Sequence, residues 1–215
     1  MVGNISYQTV SPGNGGKSSS QSATPVEIEI NGKPNVVFVT TSHGIEGGKE
    51  GNRGDLFVKQ VDSSGKEVNN KISAPFATST EFDLAVVDVP DDQIPDSEVV
   101  ELGSEVKEGD TLTGNELLTG SNSTPRIKTA QVKSVDRNNG TLRVDENGEK
   151  FEKGNSGGGV LNEDNEIIGL VQGEITESGR TKNGSFSNRD GLVVNLTDSK
   201  VREDLNNLVS QIGTA

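Results

Sequence analysis

Short β-favouring runs, each bounded by turn residues, recur along most of this chain and limit the folds open to it. About ten runs can be recognised, and Asn-Gly or Ser-Gly pairs typical of hairpin turns stand between several of them. The runs are 26–30, 35–41, 55–61, 83–89, 110–118, 126–135, 140–145, 158–162, 166–175 and 190–196. No helical periodicity separates them, so the sequence predicts an all-β protein, a sandwich or a pair of barrels.

Two stretches outside these runs suggest how the chain is organised. Residues 11–24 are rich in Ser and Gly, which favours a flexible arm, and we assign residues 1–24 to it. Residues 90–106 are polar and contain Pro, and we expect the break between two β units there.

The C-terminal stretch has a different pattern. Apolar residues recur at helical spacing through residues 198–212, and Thr197, Asp198 and Ser199 are candidate N-cap residues. We therefore expect a C-terminal helix, packed back on the second β unit.

Composition excludes several classes of function. A net charge of -13 over 215 residues disfavours nucleic acid, because phosphate binding needs clustered Lys and Arg. The chain has no Cys and one His, which rules out a disulfide framework and disfavours a zinc site. No apolar run is long enough to span a membrane, and the start MVGNISYQTV shows no secretory signal. We expect a soluble protein without cofactor or metal and favour the cytoplasm; the oligomeric state cannot be inferred.

One glycine-rich segment is a candidate for chemistry. In Phe151–Asn162, FEKGNSGGGVLN, Ser156 stands among four glycines. Such clusters are usually flexible surface turns. The alternative is a nucleophile presented on a tight turn, with backbone N–H groups free to bind an oxyanion.

A serine nucleophile needs a base, and the base needs an orienting carboxylate. The one histidine, His43, ends the apolar run 35–41. Asp83 opens the apolar run 83–89, where a charge entering a buried strand needs a reason, and Asp88 is the second choice. The candidate triad therefore has the chain order His43, Asp83, Ser156.

These segments resemble the chymotrypsin-fold (trypsin-like) serine proteases, and in particular their disulfide-free bacterial Deg-type and viral branches. VTTSH and FDLAVV are similar to the family's histidine and aspartate segments. GNSGGGVLNEDNEIIGLVQG is similar to its nucleophile loop and the hairpin behind it. LGSEVKEGD, and DGLVVNL followed by a helix, extend the similarity from about Pro25 to the end.

The resemblance implies a fold and a domain division. The fold would be two six-stranded antiparallel β-barrels, over residues 25–100 and 101–197, followed by a C-terminal helix over 198–215.

The resemblance also implies a reaction. Ser156 would attack the scissile carbonyl, His43 would carry the proton, Asp83 would hold the imidazole, and the N–H groups of Gly154 and Ser156 would form the oxyanion hole. The activity would be serine endopeptidase hydrolysis through an acyl-enzyme, on a protein or peptide substrate.

The substrate pocket is also inferred by resemblance. Lys150 would lie at its floor and favour an acidic P1 residue, unless it points to solvent as most lysines do. Val171, Gln172 and Gly173 would form the opposite wall. Two other functions stay open, namely a protease that processes itself or a single partner, and a non-catalytic binding module on the same fold.

Overall fold

A computed structural model describes residues 6–12, 18–30, 32–45, 55–61, 67–79, 81–90, 94, 99–116, 126–145, 155–175 and 190–212. Most of these residues are in strands. The strands are β1 Ser6–Pro12, β2 Ser18–Ile30, β3 Lys33–Thr41, β4 Asp55–Val61, β5 Glu67–Ser79, β6 Leu84–Val87, β7 Val100–Glu101, β8 Thr111–Glu116, β9 Arg126–Asp136, β10 Thr141–Asp145, β11 Gly159–Leu161, β12 Ile167–Ile175 and β13 Asp190–Asn195. A 3-10 turn, Ser42–Gly44, follows β3, and the helix α1 spans Ser199–Ile212.

The strands form two units, as the sequence predicts. The second unit is a closed six-stranded barrel in the order β10-β13-β12-β11-β8-β9. The first is a seven-stranded sheet in the order β1-β4-β5-β6-β3-β2-β7, and β1 also pairs with β2, which links six of the strands in a ring. The all-β fold with a C-terminal helix is thus confirmed, with one correction. The seventh strand of the first unit, β7, pairs with β2 in parallel.

The expected flexible arm is wrong for residues 6–12 and 18–24. Residues 6–12 form β1, which pairs antiparallel with β2 on one side and with β4 on the other. Residues 18–24 are the first part of β2. The Ser-rich start of β2 has weak β propensity, but pairing with β1 supplies backbone hydrogen bonds and overrides that preference.

Another strand, β5, is missing from the sequence prediction. Its sequence EVNNKISAPFATS contains Asn, Lys and Pro, which are depleted in strands. The strand nevertheless pairs with β4 at one part of its length and with β6 at another. It therefore completes the path from β4 to the central strands.

The largest buried apolar cluster lies between the two units. It combines side chains of β2, β3 and β6 with side chains of β12, β13 and α1. A second buried apolar cluster lies within the first unit, and a third lies inside the barrel. The chain passes between the units at Val100–Leu102, where β7 pairs with β2 and Leu102 bridges to Ile167. The domain limits assigned at 100 and 101 stay a prediction.

The sequence pattern correctly predicts where helix α1 begins and which of its faces is buried. Among the three cap candidates, Asp198 is the N-cap: its Oδ1 accepts from the Lys200 N–H at 2.9 Å, and its carbonyl accepts from the Arg202 N–H. The five apolar residues of the stripe are all buried: Val201, Leu205, Leu208, Val209 and Ile212.

The expected packing of the helix on the second β unit is only part of what the structure shows, because Val201 lies against Gly140 of the barrel but the helix also covers the first sheet. Helix α1 contacts β2, β5 and β6 of the first sheet. Its apolar stripe belongs to the same buried cluster as side chains of β2, β3 and β6 and of β12 and β13. The helix thus packs the last part of the described chain against the first β unit. Among the described residues, no helix is long and apolar enough to cross a membrane.

We expect Gly140→Ala to loosen this packing. Gly140 has φ +61, and a Cβ there would collide with Val201 of α1 and approach the Phe82 ring at 3.0 Å. Overpacking of this kind costs about 1–3 kcal/mol. Gly109→Ala is the matched control, since Gly109 also has positive φ (+91) but has nothing within 4 Å of a Cβ. Urea unfolding of both variants should show the larger loss at Gly140, and equal losses would contradict the packing argument.

Candidate active site

The histidine lies on the 3-10 turn that ends β3. β3 is buried over its last five residues, and its chain turns at Ser42–Gly44, closed by the Ile45 N–H donating to the Ser42 carbonyl at 3.0 Å. The side chain of His43 is 46% exposed. The imidazole is therefore fixed at its backbone yet open to a ligand.

The aspartate lies on the turn that leads into β6. Asp83 has φ 56, in the left-handed region that Asp adopts more easily than most residues. Its carbonyl accepts from the Ser42 N–H at 3.1 Å, and its side chain is only 14% exposed. Backbone strain of this kind is tolerated where surrounding contacts outweigh it.

The Asp83 carboxylate accepts four hydrogen bonds from residues that the structure describes. Oδ2 lies 2.7 Å from His43 Nδ1 and accepts from Gln172 Nε2 at 3.0 Å. Oδ1 accepts from the His43 N–H at 2.8 Å and from Ser42 Oγ at 2.9 Å. Because an ionised carboxylate only accepts, Nδ1 carries the proton and Nε2 of the neutral ring is left as a base.

The contact between His43 and Asp83 shifts the pKa of both side chains. The hydrogen bond and charge of Asp83 outweigh burial and raise the pKa of His43 above 6.5. Burial by itself raises the pKa of Asp83, but the hydrogen bonds and charge of His43, with the Gln172 amide, lower it below 3.8. Asp83 therefore stabilises the fold above pH 3.8, and this contribution is lost as pH falls through its lowered pKa.

The candidate nucleophile stands on a turn fixed by the barrel. The Gly157 N–H donates to the Val171 carbonyl at 2.8 Å, and the Val171 N–H donates to the Gly158 carbonyl at 2.9 Å. The Ser156 carbonyl accepts from the Ser22 N–H of β2 at 2.9 Å. The turn is thus bound to both β units.

Gly157 is required at its position for two reasons. Its φ is +82, and a Cβ there would collide with the Thr40 hydroxyl and the Ser22 carbonyl. The turn thus lies directly against the first sheet. A residue with a side chain would therefore not fit directly after the candidate nucleophile.

A bulge in β12 connects the serine to the aspartate. The register between β12 and β13 shifts between Val171 and Gly173, so Gln172 lies at the irregularity. Its carbonyl accepts from Ser156 Oγ at 3.5 Å, and its side chain reaches Asp83. Bulges often redirect a side chain in this way.

The structure gives a partial view of the predicted pocket. Gly154 and Lys150 lie outside the described residues. The Val171 side chain is buried in the barrel core, and its N–H and carbonyl are bound to Gly158 and Gly157 of the serine turn. A Cβ on Gly173 would have nothing within 4 Å, so there is open space at this position. A substrate contact by Gln172 stays a prediction, and its Nε2 is bound to Asp83 here.

Sequence reasoning missed two contributors. Ser42 precedes the histidine and donates to Asp83, but a serine beside a histidine is too common to be a signal. Ser22, which binds the carbonyl of Ser156, lies in the segment assigned to the flexible arm. Only the three-dimensional pairing of β2 brings it to the site.

Comparison with known proteins gives a family match. The sequence model of a family described as a trypsin-like peptidase domain matches residues 28–170. No curated protein sequence matches the chain significantly.

Solved structures share the fold at low sequence identity. The serine endoprotease from Yersinia pestis superposes with a TM-score of 0.61 at 17% identity, over 96% of this chain and 64% of that one. The HtrA-type protease AlgW with tripeptide gives a TM-score of 0.60 at 16% identity, over 95% of this chain and 60% of that one. The chain thus spans less than two thirds of the length of either protease.

The His43–Asp83 contact predicts a measurable titration. With one histidine in the chain, a single set of imidazole proton resonances reports its pKa, which should lie above 6.5. Asp83→Asn should lower that pKa, because the carboxylate charge and its hydrogen bond to Nδ1 are lost. Asp88→Asn is the matched control and should leave it unchanged. Equal titration curves for wild type and Asp83→Asn would contradict the pairing.

Proposed function

The chain belongs to the trypsin-like peptidase family. We propose that it is a serine endopeptidase acting through Ser156, His43 and Asp83. The observation that carries the proposal is the His43–Asp83 pair at 2.7 Å, with Nδ1 bound to the carboxylate and the ring half exposed. The serine turn is held by the sheet that carries this pair.

In the proposed reaction, Nε2 of His43 takes the proton from Ser156 Oγ as the oxygen attacks the scissile carbonyl. The imidazolium then gives the proton to the leaving amine, and an acyl-enzyme remains on Ser156. Water, activated by the same imidazole, releases the acid and restores the hydroxyl. Asp83 stays ionised throughout, holds the tautomer and stabilises the imidazolium.

The oxyanion would be bound by the N–H groups of Gly154 and Ser156. The N–H groups of Gly157 and Gly158 are not candidates, because they donate within the fold to the carbonyls of Val171 and Asn155. A donor of this type contributes about 3 kcal/mol to transition-state binding.

Protein or peptide chains are the proposed substrates. The open space beside Gly173 lies next to the bulge that carries Gln172, close to the serine turn. AlgW, a neighbour in fold, is described in complex with a tripeptide and with a decapeptide. A protease dedicated to itself or to one partner would use the same chemistry and differ only in what reaches the site.

Ser156→Ala should abolish hydrolysis while leaving the fold intact, because the side chain is partly exposed and its hydrogen bond to the Gln172 carbonyl is long, at 3.5 Å. Loss of a triad nucleophile lowers kcat by about 10⁶-fold. Labelling by a fluorophosphonate, followed by mass spectrometry of the modified peptide, should identify Ser156. Ser210→Ala, on an exposed position of α1, is the matched control. A folded wild type that is neither labelled nor active would favour the binding module instead.

Cleavage specificity follows from the proposed pocket. A Lys150 ammonium at the pocket floor would be neutralised by a carboxylate, so Glu, Asp or Gln should be preferred over Lys or Arg at P1. Lys150→Asp should shift the preference toward basic residues. Profiling a mixed peptide library with both forms checks this, and Lys107→Asp, an exposed position of the β7–β8 connection, controls for the change in net charge. Cleavage by wild type mainly after Lys, Arg or large aromatic residues would contradict it.

A further inference from the structure

Gln21 of β2 makes a two-way hydrogen bond to the end of β3. Its Nε2 donates to the Thr41 carbonyl at 2.7 Å, and its Oε1 accepts from Thr41 Oγ1 at 3.2 Å. Gln21 is 2% exposed and Thr41 is fully buried. Because one amide atom donates and the other accepts, the orientation of the amide is fixed by its partner.

The next residue makes the contacts to the serine turn. The Ser22 N–H donates to the Ser156 carbonyl at 2.9 Å, and the Ser22 carbonyl accepts from Thr40 Oγ1 at 2.6 Å. The pair Gln21–Ser22 therefore binds the strand end that precedes His43 and, at the adjacent residue, the turn that carries Ser156.

The two catalytic turns belong to different β units. His43 and Asp83 both lie in the first unit, whereas Ser156 lies in the barrel between β10 and β11. The spacing between base and nucleophile therefore depends on contacts that cross from one unit to the other. Ser22 supplies such a contact, and Gln21 fixes the position of Ser22 relative to Thr41.

We propose that Gln21 is a positioning residue of the active site, an amide latch that holds the histidine turn in register with the serine turn. This inference rests on the proposed function. The latch touches neither substrate nor reacting atoms, and it acts by setting the approach of His43 to Ser156. Displacement of a catalytic group by about 1 Å costs about 10²-fold in rate.

Gln21→Leu tests the latch because it removes both hydrogen bonds and keeps a side chain of similar volume. Thr41→Val is the milder variant, since it removes the hydroxyl bond and keeps the Thr41 carbonyl as an acceptor for Gln21. Thr197→Val is the matched control: Thr197 Oγ1 donates to Asn195 Oδ1 at 2.8 Å at the β13–α1 junction, away from the catalytic residues.

Each variant is assayed in the full chain for kcat and KM on p-nitrophenyl acetate, for the rate constant of fluorophosphonate labelling, and for urea stability. We expect about 10–100-fold lower kcat and labelling rate for Gln21→Leu and about 3–10-fold lower values for Thr41→Val. KM should stay within about twofold, because the ester is not bound by the latch. Thr197→Val should lose stability only.

These measurements distinguish failure of the proposed role of Gln21 from failure of the proposed protease activity. If wild type is active and both latch variants keep wild-type kcat and labelling rate, Gln21 has a structural role only and the inference is wrong. If Gln21→Leu does not fold, Thr41→Val decides on the same criterion. If wild type itself is neither active nor labelled, the proposed function fails and the latch has no reaction to position.

Discussion

The partly buried carboxylate of Asp83 connects three parts of the chain: the turn after β3, the turn before β6 and the bulge in β12. A charge that is 14% exposed must be paired or hydrogen-bonded to be tolerated. Four donors meet this requirement, and one of them, the Gln172 amide, comes from the other β unit. The carboxylate is therefore a junction of the fold as well as the partner of the imidazole.

Two residues of the site, Asp83 and Gly157, have positive φ, and hydrogen bonds hold each of them in that conformation. Asp83 has φ 56 and yet forms hydrogen bonds through both its carbonyl and its carboxylate. Gly157 has φ +82 where the serine turn meets the first sheet, and its N–H is bound to the barrel. In both cases the unusual backbone conformation lies at the boundary of the two units, where the direction of the chain has to change.

The sequence predicted what depends on local pattern. The short β-favouring runs and turn dipeptides predict the fold class, and the run 35–41 predicts the strand that precedes the histidine. The helical stripe predicts the buried face of α1, including Leu205. The roles of His43, Asp83 and Ser156 rest on motif order and resemblance and stay a proposal, although the structure brings the first two into contact.

What the sequence could not give depends on long-range pairing. The start of β2 has the composition of a linker, and only its pairing with β1 makes it a strand. The packing of α1 on the first sheet cannot be inferred from its own periodicity, which indicates the buried face but not the surface that covers it. The reach of Gln172 to Asp83 depends on a bulge, and a bulge has no simple signature in an apolar strand.

Polar residues are buried where the histidine and serine turns meet the first sheet, and stability alone does not explain them. Gln21, Ser22, Thr40, Thr41 and Ser42 are all buried. Replacing both members of a buried hydrogen-bonded pair by apolar groups of the same shape can be nearly neutral for stability, so the fold does not require a polar layer here. Apolar contacts, however, are not directional and tolerate small sliding movements. Hydrogen bonds fix separations to a few tenths of an ångström, and the proton transfer that we propose between Ser156 and His43 would need that accuracy. The proposed reaction therefore gives a reason for the polar layer that the free energy of folding does not.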